Sequence, residues 1–306
     1  MLQILVAPFA ACVVLAALHC YMGLHILRRG VIFVDLALAQ MAALGAAVAV
    51  VLAPVMLPRE HGEAAGPASA VVEAADPWLE EPSDPATEAL TYGFSLLFAF
   101  AGAGLIAVGR LKDNRVPHEA FIGIVYVVSA ALAMLALNKA PHGSEKMEAM
   151  LLGSILFVGW REVGRTAALY AVIAVLHVVW GRRFLSITES PEGAEAQGLK
   201  VRLWDFLFYV TFGLMVTQSV KIGGVLVVFS FLIIPAACAT LLLRGFWPRL
   251  LAAWALALVA SVAGLWFSAA GDMPTGASLV AAFGAMLAVC AAVAGFRGGG
   301  EPSAAP

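Results

Sequence analysis

The sequence predicts an all-α fold, a polytopic transmembrane helical bundle of about nine spans. Three observations carry that expectation. Of the 306 residues, 62% are hydrophobic and only 12% are charged, against ~25% charged in an average soluble domain. The apolar residues fall in runs of about 20, the length a helix needs to cross the hydrocarbon core. The polar residues are gathered between those runs. The net charge of −2 leaves no basic surface of the kind that binds nucleic acid. Cys12, Cys20, Cys238 and Cys290 are scattered through apolar stretches and form no CxxC pair. Neither a disulfide framework nor a zinc–cysteine site is indicated.

The membrane domain is read as residues 1–297. Its first span, about 4–27, follows Met1-Leu2-Gln3, which has no basic n-region. That start fits a first helix with its N-terminus outside better than a cleaved signal peptide. The second span, 31–57, carries Asp35 and Gln40 among small residues. The connector 58–89 holds eight acidic residues against one base, Arg59, and five prolines. It cannot bury enough apolar area to fold alone and is expected to be disordered. Spans at 90–109, 118–138 and 161–181 come next. The segment 203–219 is short and opens on Arg202 and Asp205, and 222–243 is interrupted by Gly223-Gly224 and Pro235. Glycine and proline leave backbone groups to be satisfied elsewhere, so a broken or re-entrant element is expected near 219–235. Spans at 249–270 and 276–296 complete the set, and 298–306 reads as a disordered tail.

Charge gives an orientation. With nine spans the connectors alternate sides, and one side collects twelve bases (Arg28, Arg29, Arg110, Lys112, Arg115, Arg182, Arg183, Lys200, Arg202, Arg244, Arg249, Arg297) against six on the other. The basic side is expected to be cytoplasmic, which puts the N-terminus outside and the C-terminus inside.

No GxxxxGK[ST] loop occurs, so ATP binding of that kind is not expected on this chain. No HExxH occurs, and His118-Glu119 lacks the second histidine of a helical zinc site. The chain reads as a non-enzyme. A charge inside a span is expensive and is a functional candidate by default. Asp35, placed a turn and a half into the second span, is the clearest case. A carboxylate and the Gln40 amide oxygen in a tight passage suit a hard or borderline divalent cation. The alternative is that Asp35 pairs with Arg28 or Arg29. In the connector 139–148, His142, Glu145 and Glu148 form either a metal-contacting cluster at a pathway mouth or a mixed-charge surface turn. The segment 188–199 carries Pro191 early and Gly198 late, start and stop signals for a short helix. It is either a docking element for a motor subunit or an ordinary loop. His19, His25 and His177 read as hydrogen-bonded packing residues. Gln218 and Lys221 mark the break between the sixth and seventh spans.

Five blocks, GVIFVDLALAQMAALG (30–45), IGIVYVVSA (122–130), APHGSEKMEAMLLGSILFV (140–158), SITESPEGAEAQGL (186–199) and VKIGGVLVVFSFLIIPAACAT (220–240), resemble the permease subunits of zinc/manganese/iron ABC importers. The resemblance runs from about 5 to 296 and lapses in 58–89. It implies a helix bundle like that of the vitamin B12 and metal-chelate permeases. It further implies two copies of the chain in a bacterial inner membrane, paired with a separate cytoplasmic ABC ATPase and served by an extracytoplasmic metal-binding protein. The cargo would be a divalent ion (Zn, Mn or Fe), with no cofactor held by the chain itself. Residues 184–202 would be the coupling segment, with Glu189, Glu192, Glu195 and Gly198 at the ATPase contact.

The second block departs from the family. Manganese and zinc members read G-D-A-L-S-H there. Aligning A-L-S-H with Ala37-Leu38-Ala39-Gln40 puts Gln40 at the histidine and leaves Asp35 one residue early. Residues five apart on an α-helix diverge by about 140°, so Asp35 and Gln40 clamp one ion only on an irregular helix. His142, or a residue of the 219–224 break, is the remaining candidate for the missing ligand. Two other readings stay open: a permease for a metal chelate or other small cargo, and a stand-alone secondary transporter with broken helices.

Overall fold

A computed structural model describes residues 2–57, 85–108, 117–138, 153 and 155–298. Every regular element among them is a helix. In chain order they are α1 (Leu2–Arg29), α2 (Val34–Met56), α3 (Pro85–Val108), α4 (His118–Leu137), a single 3-10 turn (Ile155–Phe157), α5 (Trp160–Val179), α6 (Gly181–Glu189), α7 (Pro191–Ala196), α8 (Val201–Leu242), α9 (Phe246–Gly271) and α10 (Thr275–Gly298). Eight of these are long and apolar enough to cross a membrane.

The eighth helix supplies two of the nine expected segments. Gly224 has φ 71° and ψ 166°, outside helical space, and divides α8 into limbs 201–223 and 225–242. The packing shows that the limbs run antiparallel. Phe208 and Leu232 would stand ~36 Å apart on a straight helix. Yet Phe208 packs on His25 and the Leu232 carbonyl lies against Gly23, two residues away on α1. The break expected near 219–235 is therefore a reversal at Gly224, and Pro235 stays inside the second limb. Gly153 sits on the backbone of Gly223 and Gly224, where a Cβ would find no room.

Small residues set the other close approaches. Gly45 of α2 meets the Phe94 backbone of α3, and Gly264 of α9 meets Leu279 of α10. Without water to drive association, such contacts are how membrane helices pack. Leu15, Met22, Phe208, Phe212, Phe231 and Phe283 fill the interior. Large apolar side chains also cover the outside, Val55, Val178, Trp247 and Phe296 among them, as a lipid-facing surface requires.

Two boundaries differ from the sequence expectation. The second span begins at Val34 rather than 31, because Gly30 (φ 65°) and the turn at 31–33 hold the chain out of helix. Helix α3 begins at Pro85, so the last five residues of the 58–89 stretch are helical. Pro85 is well placed there, since proline is tolerated in a first helical turn. Residues 58–84 and 299–306 lie outside the described residues.

Candidate functional site

One end of the bundle gathers the C-terminus of α1, the short helices α6 and α7, both ends of α8 and the start of α9. Helix α7 is the short helix expected between Pro191 and Gly198, and α6 precedes it over Gly181–Glu189. Ser190 separates them: its hydroxyl accepts a hydrogen bond from the Gly193 N–H at 3.1 Å, and Pro191 follows at the first helical position. Serine as an N-cap and proline just inside are a standard opening. Gly198 (φ 81°) closes α7. The Gly198 N–H donates to the Glu195 carbonyl and the Leu199 N–H to the Ala194 carbonyl, the paired bonds of a glycine-terminated helix. Glu192 and Glu195 point to solvent.

This pair of helices is tied to the bundle by α1. Arg28 donates to Glu189 at 2.9 Å. Arg29 donates through Nε to the Thr188 hydroxyl at 3.0 Å and through Nη1 to Asp205 of α8 at 2.6 Å. Its guanidinium also lies 4.1 Å from the centre of the Phe208 ring. The Arg29 and Asp205 side chains are only 5% and 3% exposed. His25 hydrogen-bonds the Thr188 hydroxyl at 2.9 Å. Thr188 is thus held by two α1 side chains, and Arg29 joins α1, α6 and α8 at one point. Sequence reasoning missed this junction. Its one trace was the pair of charges, Arg202 and Asp205, that made 203–219 look like a poor span.

The structure places two of the three expected pathway residues, Asp35 and Gln40. Asp35 lies in the first turn of α2, a favourable end of the helix dipole for a carboxylate but shallower than the expected turn and a half. It does not pair with Arg28 or Arg29, which are engaged as above. Asp35 is 1% exposed, and among the described residues neither carboxylate oxygen has a hydrogen-bond partner. Gln40 is also buried, at 6%, on the same unbroken helix five residues on. The two side chains diverge by about 140°. Among the described residues, no three His, Cys, Asp or Glu side chains come together to hold an ion. His142, Glu145 and Glu148 lie outside the described residues.

The histidines read as packing residues do pack and hydrogen-bond, His25 as described above. His19 bonds the Leu15 carbonyl at 2.8 Å. His177 bonds the Thr211 hydroxyl at 2.9 Å and stacks on Phe184. At the opposite end of the bundle, Gln218 donates to Thr166 at 3.0 Å and the Lys221 ammonium sits 4.1 Å from the centre of the Tyr92 ring.

Comparison with known proteins agrees with this architecture. The manganese transport system membrane protein MntC of Halalkalibacterium halodurans is 26% identical over 176 residues, 57% of this chain and 60% of that protein. The high-affinity zinc uptake system membrane protein ZnuB of Haemophilus influenzae is 25% identical over 178 residues, 57% of this chain and 67% of that one. The alignment thus spans about 60% of the length of the manganese relative. In structure, PsaBC from Streptococcus pneumoniae, solved in complex with Fab, superposes with a TM-score of 0.69 at 19% identity, covering 94% of this chain and 91% of the other. Residues 88–294, more than half of the sequence, match the ABC 3 transport family, and the chain is a multi-pass membrane protein belonging to that family.

Proposed function

We propose that the chain is the membrane permease of a bacterial ABC importer for divalent metal ions, zinc, manganese or iron. The observation that carries this reading is the junction of α6 with the bundle. The short helix α7 presents Glu192 and Glu195 to solvent, and the adjoining α6 grips α1 through Thr188 and Glu189. A motor subunit closing on α6 and α7 would therefore pull on α1 directly, and on α8 through Arg29. The ATP is hydrolysed on that separate cytoplasmic subunit, and this chain has no enzymatic role. The base-rich end faces the cytoplasm, with the N-terminus outside, as the positive-inside rule requires. Two copies form the pathway, and an extracytoplasmic metal-binding protein delivers the ion to the end that carries Lys221.

Asp35 is the pathway residue the structure favours. A buried carboxylate without a protein partner is costly, and a passing cation would relieve that cost. The ion is held weakly, because a tight site would trap it. Gln40 and His142 complete the proposed path. The divergence of Asp35 and Gln40 favours one second reading, a chelated cargo. Competition by free metal for uptake separates the two.

The test is radiolabelled zinc, manganese and iron uptake into proteoliposomes that hold this chain, its ATPase and its binding protein. ATP-dependent uptake of a free metal, lost in Asp35→Ala, is expected. Gln40→His should shift preference toward zinc if that position selects cargo. Glu192→Ala with Glu195→Ala should leave the fold intact and separate ATP hydrolysis from uptake. Normal uptake by that double variant would sink the coupling assignment, and no uptake of any free metal would sink the cargo.

A further inference from the structure

A cavity of about 550 Å³ lies between α1, α5, α6 and α9, within the ~300–1,000 Å³ range of pockets that bury small ligands. It borders the coupling junction at His25 and lies apart from the proposed ion path. Its walls are Leu18, Ala174, Leu185, Phe246 and Leu250, with Trp254 across from them. Tyr21, His25 and His177 also line it, and three of its polar side chains are used inside the protein. Trp254 donates its indole N–H to the Ala17 carbonyl at 3.0 Å, and His25 and His177 bond to Thr188 and Thr211. What remains is a slot lined mostly by carbon, with Tyr21 on its wall. It opens on the perimeter of the bundle, where Val178 and Trp247 are exposed.

The slot ends at a cation. Arg182 of α6 lines it, is exposed, and enters neither ion pair found among the described residues. This is the same end of the bundle that holds Arg28, Arg183, Arg244 and Arg249. Trp247 and Trp254 stand beside the slot, and tryptophan favours the headgroup level of a bilayer. An apolar channel open to lipid, capped by an unpaired guanidinium at headgroup depth, matches one kind of molecule in shape and charge.

We propose that this slot binds an anionic phospholipid, one acyl chain between α1, α5 and α9 and the phosphate on Arg182. Helix α6 then has two attachments: the lipid at its first turn, and α1 at its last through Thr188 and Glu189. A bound anionic lipid steadies the helix through which the motor subunit would act.

The full chain is reconstituted in nanodiscs of phosphatidylcholine with a minor fraction of phosphatidylglycerol, extracted gently, and weighed by native mass spectrometry. Wild type should retain phosphatidylglycerol in preference to phosphatidylcholine. Arg182→Glu should reduce that preference about fivefold or more, the scale of one basic residue at an anionic surface. Ala174→Trp, which fills the slot, should lose both lipids at an unchanged melting temperature. If that variant proves unstable, the exposed Arg182→Glu still decides. Equal retention of the two lipids by wild type, or a preference that Arg182→Glu leaves intact, overturns the proposal. So does lipid-free protein in which a photocrosslinker at position 174 captures a second copy of the chain, which would assign the slot to a contact between copies.

Discussion

Arg29 meets three groups at once: the Thr188 hydroxyl, the Asp205 carboxylate and the face of Phe208. A planar guanidinium can do this and an ammonium cannot. Arg29→Met keeps most of the volume and strips the charge from a pair that is almost fully buried. Breaking a buried pair from one side costs about 3–5 kcal/mol, so denaturant unfolding in detergent should show a loss of that order. Arg29→Lys should fold better than Arg29→Met yet transport fewer ions per ATP hydrolysed than wild type. Asp35 predicts the opposite signature. Its two oxygens are buried without partners among the described residues, and an unsatisfied buried polar group costs about 1–3 kcal/mol. Asp35→Leu, close in shape, should therefore melt at or above the wild-type temperature while uptake is lost. A clear fall in melting temperature would mean that the carboxylate holds the fold together instead. Asp35 was legible in the sequence because a lone carboxylate in an apolar run is conspicuous. Its partner-free state was not, because two arginines stood six and seven residues away and only the structure shows them engaged elsewhere. The Arg29–Asp205 pair was illegible for a different reason. Its members are 176 residues apart, and no local pattern links them.

The short helices and the reversal in α8 each hang on a single residue type. Gly224 occupies a region of backbone space that is essentially restricted to glycine, and Gly153 lies flat against it. Gly224→Ala should cost about 1–3 kcal/mol, read as a lower melting temperature. Ser190→Ala removes the cap of α7 and should cost about 1 kcal/mol locally. Because α7 is six residues long, that loss should appear as faster hydrogen exchange across 191–199, with the long helices unchanged. Unchanged exchange there would mean that Gly198 alone holds the turn. The sequence marks both features in kind. Gly223-Gly224 announced a break, and Pro191 with Gly198 announced a short helix. It did not distinguish a re-entrant loop from a reversal, since that depends on what the second limb packs against. Nor did it show the additional short helix, α6, that precedes Ser190.

The bundle as a whole has one end crowded with bases and short helices and another marked by Lys221 and Gly224. The spans were readable to within a few residues, because the hydrocarbon thickness imposes their length on the sequence. The order in which spans touch was not, because every span is apolar on most of its faces. The polarity of the molecule is directly testable. In a cysteine-free background, Lys221→Cys should react with a membrane-impermeant maleimide added outside intact cells, and Glu192→Cys only after the cells are opened. The reverse pattern would invert the orientation while leaving the fold as described.

The distance along the chain between Arg29 and Asp205 has a consequence for how the protein is made. Ribosomes add about 5–20 residues per second, so on the order of 10–35 s separates emergence of the guanidinium from arrival of a carboxylate 176 residues later. Throughout that interval the first helix sits in the bilayer with its cation uncompensated, held by headgroups, water or the insertion machinery. A chain stopped before residue 205 never resolves that state, and prematurely terminated products should be cleared by membrane proteases far faster than the finished protein.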